Sequence, residues 1–189
     1  NVWQYTKRKT NVYLVVDTSG SMEGDKLTAA QAALHEFLSQ IKGDQERVGL
    51  VEFSSTVHNI QLLDELGNNR AQLEATIDAM EAVGDTALLD AVRTAYVRLQ
   101  QTGDSERINA TVVMTDGLEN NSFTTLNQLE REIRSGNSQG VPVVIFAIAF
   151  GDDADIATLR TIAETSGGQV RQGDLNTIRQ LYRLLSSYF

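Results

Sequence analysis

Several residue types that build functional sites are scarce or absent in this chain. It has no cysteine, two histidines and one proline among 189 residues. The absence of cysteine excludes a disulfide framework, a thiolate metal site and a cysteine nucleophile. No apolar run approaches the roughly 20 residues that a bilayer-spanning helix requires. No signal peptide is visible either.

Positive charge is also in short supply. Lysine and arginine total 16 against 25 aspartates and glutamates, which gives a formal net charge of −9. The only basic run, Lys7–Lys9, is too short to change this balance. Because a nucleic-acid-binding domain presents a basic face, we expect no nucleic-acid partner.

Length and composition are those of one globular domain. With 41% hydrophobic and 22% charged residues, the chain fits a single domain spanning 1–189. Because it begins with Asn1 rather than an initiator methionine, we expect this domain to be cut from a longer protein. Targeting and anchoring segments would then lie outside it.

Apolar residues follow two kinds of pattern along the chain. Spacing of three to four residues predicts helices at 27–41, 73–80, 88–99, 126–133, 156–162 and 178–188. Continuous apolar runs predict strands at 12–16, 48–53, 108–114 and 141–150, with a short one around Val170. At 59–62 polar and apolar residues alternate, which predicts a half-exposed antiparallel edge strand after a turn at Ser54 and Ser55.

Strands that are apolar on both faces and alternate with helices indicate an α/β fold. We predict a Rossmann-like, doubly wound, mostly parallel sheet of six strands, with one antiparallel edge strand and helices on both faces. In open sheets of this kind, ligands bind beyond the carboxyl ends of the strands at a topological switch point. The loops at those ends are therefore where a site is expected.

Three such loops carry oxygen-bearing side chains. They are Asp17–Ser21, Gly84–Thr86 and Thr115–Gly117. Together they offer two carboxylates and three hydroxyls, from Asp17, Ser19, Ser21, Thr86 and Asp116. Hard oxygen donors without His or Cys suit Mg²⁺, with Mn²⁺ or Ca²⁺ as alternatives, and are unsuited to zinc or copper.

Each loop also has a simpler interpretation. Asp17–Ser21 alone could be a turn that caps the following helix, and Thr86 could cap the helix that begins near Leu88. Thr115–Gly117 alone is typical of a plain turn. The metal-site hypothesis depends on all three loops occurring together, with matching chemistry, at the ends of core elements.

Four other residues are not predicted to be metal ligands. Gly20 and Gly117 are expected where a side chain would collide with the turn. His35 and His58 are expected to lie away from the ligand loops, as ordinary surface or boundary residues.

The order Asp17-x-Ser19-x-Ser21, then Thr86, then Asp116 resembles the metal-ion-dependent adhesion site (MIDAS) of the von Willebrand factor A (vWA) family, which includes integrin inserted (I) domains. The likeness covers essentially the whole chain, and all five ligand positions hold the family's residue types. One departure is Asp85, which stands where a second glycine is common. The abundance of Asp and Asn resembles bacterial members.

The resemblance implies a role for each of the five residues. Ser19 and Ser21 would bind the cation directly, and Thr86 would do so in a ligand-bound state. Asp17 and Asp116 would bind it directly or through water. A Glu or Asp of a protein partner would complete the coordination. In integrin-type members, engagement displaces the last helix, here 178–188, although a rigid docking helix is the default expectation.

We therefore expect a non-enzymatic, cation-dependent adhesion or interaction module that recognises a protein partner presenting a carboxylate. We expect no direct membrane insertion by this domain, and an extracellular or cell-envelope location in preference to the cytoplasm. One alternative is a metal-dependent scaffold subunit of an intracellular ATPase-linked, chelatase-like assembly. Another is a metal-dependent hydrolase with Asp17 as nucleophile. Against the hydrolase, no Lys or His falls within the motif loops.

Overall fold

The fold follows from a computed structural model that describes residues 8–116, 118–152, 154–173 and 180. The strands are β1 (Thr10–Asp17), β2 (Arg47–Phe53), β3 (Val57–Glu65), β4 (Ile108–Thr115), β5 (Val143–Ala149) and β6 (Val170–Gln172). The helices are α1 (Asp25–Gln40), α2 (Leu66–Asp78), α3 (Leu88–Thr102), α4 (Leu126–Gln139) and α5 (Ile156–Thr165). A short 3-10 helix spans Gly20–Met22. The helix predicted at 178–188 lies outside the described residues, apart from Gln180.

The strands form one six-stranded sheet in the order β3-β2-β1-β4-β5-β6. Only β2 and β3 pair antiparallel, and the other neighbours pair parallel. This confirms the predicted fold, including the antiparallel edge strand that follows Ser54 and Ser55. The strand order reverses direction between β1 and β4, so the carboxyl ends of these two strands mark the topological switch point.

Strand β1 separates two hydrophobic cores because its side chains alternate between the faces of the sheet. Val12, Leu14 and Val16 pack with residues of α1 and α2 on one face. Tyr13 and Val15 pack with residues of α3, α4 and α5 on the other. All eight residues of β1 are buried, which explains the continuous apolar run that ends at Asp17. No helix in the described part of the chain is long and apolar enough to cross a membrane.

Helix α2 begins earlier than the sequence pattern predicts. The apolar spacing placed a short helix at 73–80, whereas the structure has Leu66–Asp78. The added turn contains glycine and asparagine, which are poor helix formers. Its formation is explained by tertiary contacts, because Leu66 is buried and Asn69 Nδ2 donates to the Val48 carbonyl at 2.8 Å.

Gly168 offers a test of how tightly the layer of α5 packs on the sheet. A Cβ at this position would lie 1.8 Å from the carbonyl oxygen of Ile145 in β5, whose backbone cannot yield. We expect Gly168→Ala to lower the free energy of unfolding by about 2 kcal/mol or more, as overpacking does. Urea denaturation measures this. Gly43→Ala is the matched control, since nothing lies within 4 Å of an added Cβ there; equal loss in both variants would contradict the packing.

Candidate metal centre

Two buried carboxylates stand at the switch point of the sheet. Asp17 is the last residue of β1, and Asp116 directly follows β4, its parallel neighbour. Both side chains are completely buried. Because parallel strands end at the same edge of a sheet, the two loops that follow these strands meet there. The structure thus brings together the first and third predicted ligand loops.

Both carboxylate oxygens of Asp17 accept hydrogen bonds. Its Oδ1 accepts from the Ser19 backbone N–H at 2.8 Å, and its Oδ2 accepts from the Thr115 hydroxyl at 2.7 Å. Burial raises the pKa of Asp17 above its ordinary value, and the negative charge of Asp116 adds to this effect. The hydrogen bonds from Ser19 and Thr115 oppose the rise without cancelling it. Asp17 therefore carries its negative charge at an energetic cost.

The two serines of the first loop lie side by side. Ser19 Oγ is 3.0 Å from Ser21 Oγ, and Ser19 is fully buried whereas Ser21 is exposed. Neither caps a helix by a side-chain hydrogen bond: Ser19 makes no such bond to the 3-10 helix, and the N-cap of α1 is Gly24. The helix-cap interpretation of this loop is therefore wrong, and both hydroxyls face one another.

The second loop places Thr86 beside the third loop. Thr86 is 2% exposed, and its backbone N–H donates to Asn120 Oδ1 at 2.9 Å. Helix α3 begins at Leu88 with Ala87 as N-cap, so the alternative in which Thr86 caps this helix is also wrong. The Thr86 hydroxyl is not needed to start the helix.

Asp116 differs from Asp17 in having an unsatisfied oxygen. Its Oδ1 receives a long hydrogen bond of 3.4 Å from the Leu118 N–H. Its Oδ2 is buried and accepts no hydrogen bond within the described residues. The ammonium of Lys26, on the first turn of α1, lies 3.7 Å from this oxygen, which is an ion-pair distance but not a hydrogen bond.

The donor set fits a hard divalent cation. A buried carboxylate oxygen without a hydrogen bond is costly unless a cation satisfies it. The adjacent hydroxyls of Ser19 and Ser21 supply neutral oxygen ligands of the kind that Mg²⁺ and Ca²⁺ bind. Among the described residues no group of three or more His, Cys, Asp or Glu is placed to hold a metal, so a cation here would depend on hydroxyls as well as on carboxylates.

Hydrogen bonds between loops hold this arrangement in place. Val83 N–H donates to the Thr18 carbonyl at 2.9 Å, and Gly20 N–H donates to the Gly84 carbonyl at 2.9 Å. These two bonds join the first loop to the second. The N–H groups of Asn120 and Asn121 both donate to the Thr86 carbonyl, which joins the second loop to the third.

The turn between β2 and β3 also supports the second loop, a role that its sequence does not indicate. Ser54 O accepts from Ala87 N–H at 2.7 Å, and Ser55 Oγ accepts from Asp85 N–H at 2.9 Å. Ser55 O further accepts from Asn121 Nδ2 at 2.6 Å. This turn is therefore part of the scaffold of the site.

Glycine is required at a different position from the one the sequence suggested. Gly20 has no positive φ, and an added Cβ would make an ordinary 3.5 Å contact with the Gly84 carbonyl. The expected collision at Gly20 is thus wrong, and Gly117 lies outside the described residues. Gly84 is the constrained residue, because its φ is +88° and a Cβ would lie 2.6 Å from Ser55 Oγ.

Glu119 and Asp90 fasten the third loop onto α3. Glu119 Oε2 accepts from Leu89 N–H at 3.0 Å, so this carboxylate is used at the start of α3. Asp90 accepts from the N–H groups of Phe123 and Thr124 at 3.0 and 2.9 Å. Burial of Asp90 opposes ionisation, but these hydrogen bonds outweigh it and lower the pKa of the carboxyl.

His58 lies closer to the site than the sequence suggested. Its Nε2 is 3.3 Å from Thr18 Oγ1 and 3.4 Å from Glu52 Oε2. Thr18 belongs to the first ligand loop, so the expectation that both histidines lie away from these loops is wrong for His58. The antiparallel pairing of β2 and β3 places it there. His35 pairs instead with Asp78, at 2.7 Å, on the surface of the α1–α2 layer.

Comparison with known proteins identifies the family and the fold. The family model of the von Willebrand factor type A domain matches residues 11–183. A curated relative, inter-alpha-trypsin inhibitor heavy chain H4 of Sus scrofa, is 26% identical over 86% of this chain. The chain spans only 18% of that relative's length.

Solved structures share the fold. A von Willebrand factor type A protein from Catenulispora acidiphila superposes with a TM-score of 0.75, at 21% identity, over 96% of this chain and 42% of that one. The pilus adhesin SpaC from Lactobacillus rhamnosus GG gives 0.71, at 17% identity, over 97% and 31%. Proximal thread matrix protein 1 from the mussel byssus, with a zinc-occupied MIDAS motif, gives 0.73, at 18% identity, over 95% and 46%.

The pKa of Asp17 gives a stability prediction with a definite sign. Because the pKa is higher in the folded chain than in the unfolded one, the folded state retains a proton that the unfolded state releases. In chelator, the wild type should therefore lose stability as pH rises from the ordinary Asp range through the raised pKa. Asp17→Asn escapes this loss and should be the more stable of the two proteins at neutral pH.

The measurement is the difference in unfolding free energy between Asp17→Asn and wild type across this pH range, by urea denaturation in chelator. Asp152→Asn is the control because Asp152 is exposed. A difference that stays flat with pH, or that favours the wild type at neutral pH, would refute the cost assigned to the Asp17 charge.

Proposed function

Because the chain belongs to the von Willebrand factor type A domain family, we propose that it is a divalent-cation-dependent module for binding a protein partner. The observation that carries this proposal is the buried Asp116 Oδ2, which accepts no hydrogen bond in the described part of the chain. Asp116 follows β4, the parallel neighbour of the strand that leads into the loop with the paired hydroxyls of Ser19 and Ser21. A cation at this place would satisfy the orphaned oxygen and offset the repulsion between Asp17 and Asp116. The three loops would then form a MIDAS.

In this proposal the five residues have different roles. Ser19 and Ser21 bind the cation through their hydroxyls, and Asp116 binds it through Oδ2 or through water. Asp17 already uses both oxygens for hydrogen bonds, so it acts chiefly by its charge and by orienting the loop at Ser19. Thr86 adds its hydroxyl when a partner is engaged. When bound, the cation supplies a Lewis-acidic position that accepts a carboxylate oxygen.

Mg²⁺ is the cation we favour, with Mn²⁺ and Ca²⁺ as alternatives, because all five donors are hard oxygens. The zinc-occupied MIDAS motif of the mussel byssus protein supports a metal role for this kind of site. It also means that our expectation against zinc needs a direct test. Zinc therefore belongs in any metal titration of this chain.

The partner we propose is a protein that presents an Asp or Glu side chain to the cation. The similarity to a pilus adhesin supports a binding role and an extracellular or cell-envelope setting. We propose no catalysis. However, Lys26 and His58, which the motif loops do not contain, lie near the site, so a metal-dependent hydrolase using Asp17 is retained as the rival to be tested.

The test removes the paired hydroxyls. We expect the double variant Ser19→Ala, Ser21→Ala to lose at least roughly tenfold in Mg²⁺ affinity, because it deletes two direct ligands. Isothermal titration and thermal shift with Mg²⁺, Mn²⁺, Ca²⁺ and Zn²⁺ measure this. A pull-down from the native source with Mg²⁺, repeated with chelator and with the double variant, measures partner binding.

The matched control is Ser39→Ala, Ser138→Ala, whose hydroxyls donate only to nearby helix carbonyls on exposed positions. If the wild type and both double variants bind the cation with equal affinity, the assignment of the site is wrong. Metal-dependent turnover of p-nitrophenyl phosphate that disappears in Asp17→Asn would favour the hydrolase instead.

Lys26 gives a second test of where the cation binds. Its ammonium lies 3.7 Å from Asp116 Oδ2 and would repel a divalent cation bound to that oxygen. We expect Lys26→Met to tighten Mg²⁺ binding roughly tenfold by removing this repulsion. Isothermal titration measures it, with the exposed Lys42→Met as control. Weaker or unchanged binding in Lys26→Met would place the cation away from Asp116.

A further inference from the structure

Large apolar side chains are exposed at few positions in the described part of the chain. They are Leu62 at 64%, Val83 at 66%, Leu118 at 38% and Phe123 at 96%. Exposed apolar residues scattered singly over a surface need no explanation. Leu62 stands apart on the edge strand β3. Val83, however, directly precedes the second ligand loop, Leu118 directly follows the third, and Phe123 lies between the third loop and α4. We call these three side chains the apolar rim.

Hydrogen bonds from backbone N–H groups position the three residues of the apolar rim, two of them on ligand loops and one on α3. Val83 N–H donates to the Thr18 carbonyl at 2.9 Å, and Leu118 N–H donates to Asp116 Oδ1 at 3.4 Å. Phe123 N–H donates to Asp90 Oδ2 at 3.0 Å, on the first turn of α3. The backbone of the rim is therefore fixed by the protein's own hydrogen bonds, which lowers the entropic cost of binding there.

The rim also lies close to the oxygen donors. Thr86 O accepts from both Asn120 and Asn121, at 3.1 and 3.2 Å, so the loop with Leu118 and Phe123 contacts the loop with Val83 and Thr86. Leu118 is two residues from Asp116 and Val83 is three residues from Thr86, so a partner that binds these oxygens has exposed apolar side chains next to it. Phe123 is almost wholly exposed, and large aromatic side chains of this kind are the ones that a partner covers at an interface.

Exposed acidic side chains lie on or next to the ligand loops. Glu23, Asp25 and Asp85 are exposed, and the whole chain carries a net charge of −9. Such a surface repels an acidic partner everywhere except at the cation. It also disfavours the anionic surface of a membrane. The complementary partner is a protein segment with one carboxylate and otherwise apolar or basic residues.

From these observations we infer that the site selects an Asp or Glu flanked by large apolar side chains, with Val83, Leu118 and Phe123 determining that specificity. This inference rests on the proposed function, since the carboxylate needs the cation. It goes beyond it by naming the chemistry on either side of the acidic residue. The selectivity arises because the flanking side chains are buried against the rim only when the carboxylate is engaged.

The test uses three synthetic peptides and fluorescence anisotropy in Mg²⁺. One has a central Glu between Leu and Phe with a distal Arg, the second replaces Leu and Phe by Ser, and the third replaces Glu by Gln. We expect the first peptide to bind at least roughly tenfold tighter than either of the others. Chelator should abolish its binding.

Variants of the rim separate this inference from the proposed function. Phe123→Ser and Val83→Ser should each remove most of the preference for apolar flanks while leaving Mg²⁺ affinity unchanged. Leu62→Ser is the matched control, because Leu62 is as exposed as Val83 but lies on β3, and it should bind all peptides as the wild type does.

Each contrary result has a distinct meaning. Equal, Mg²⁺-dependent binding of both Glu peptides would overturn the role of the rim and leave the proposed function intact. Normal Mg²⁺ affinity without binding of any Glu peptide would overturn both. Binding to phosphatidylglycerol vesicles that Phe123→Ser abolishes, without peptide selectivity, would replace the protein partner by a membrane.

Discussion

The parallel pairing of β1 with β4 is the constraint on which the rest of the site depends. It places Asp17 and Asp116, both fully buried, at neighbouring strand ends where the strand order reverses. Two like charges removed from water are costly, and the raised pKa of Asp17 reflects that cost. A cation between the two loops would both remove this repulsion and satisfy Asp116 Oδ2. The geometry therefore favours a metal centre over a plain turn.

The loops around these carboxylates are fastened chiefly to one another. Backbone hydrogen bonds join Thr18 to Val83 and Thr86 to Asn120, while Ser54 and Ser55 support the second loop from the β2–β3 turn. The oxygens are thus positioned by a network that spans three separate parts of the chain. Because these hydrogen bonds lie within the protein, they restrict the backbone of the three loops, and a restricted site lowers the ordering cost of binding. The selectivity of a site of this kind would then come from the residues that surround it.

Much of this could be predicted from the sequence, because strand ends and ligand spacing are local features. The apolar runs that alternate with helical spacing predicted the sheet, and the oxygen-bearing loops at the strand ends predicted the site, whose loops the structure brings together. The positions of Lys26 and His58 could not be predicted. Each depends on long-range packing: Lys26 on how α1 lies against the sheet, and His58 on the pairing of β2 with β3. The early start of α2 was missed for the same reason, since Asn69 finds its partner on β2.

Lys26 also bears on why a partner's carboxylate would be needed. With both carboxyls ionised, Asp17 and Asp116 would neutralise a divalent cation, and an added carboxylate would then give the site a negative charge. The ammonium of Lys26, 3.7 Å from Asp116 Oδ2, adds positive charge beside these carboxylates. In the proposed site this charge would favour the approach of an external carboxylate, because the surroundings are largely removed from water. Under the proposed function, the same lysine that would weaken the hold on the cation would strengthen the attraction for one acidic residue, and the apolar rim would decide which acidic residue that is.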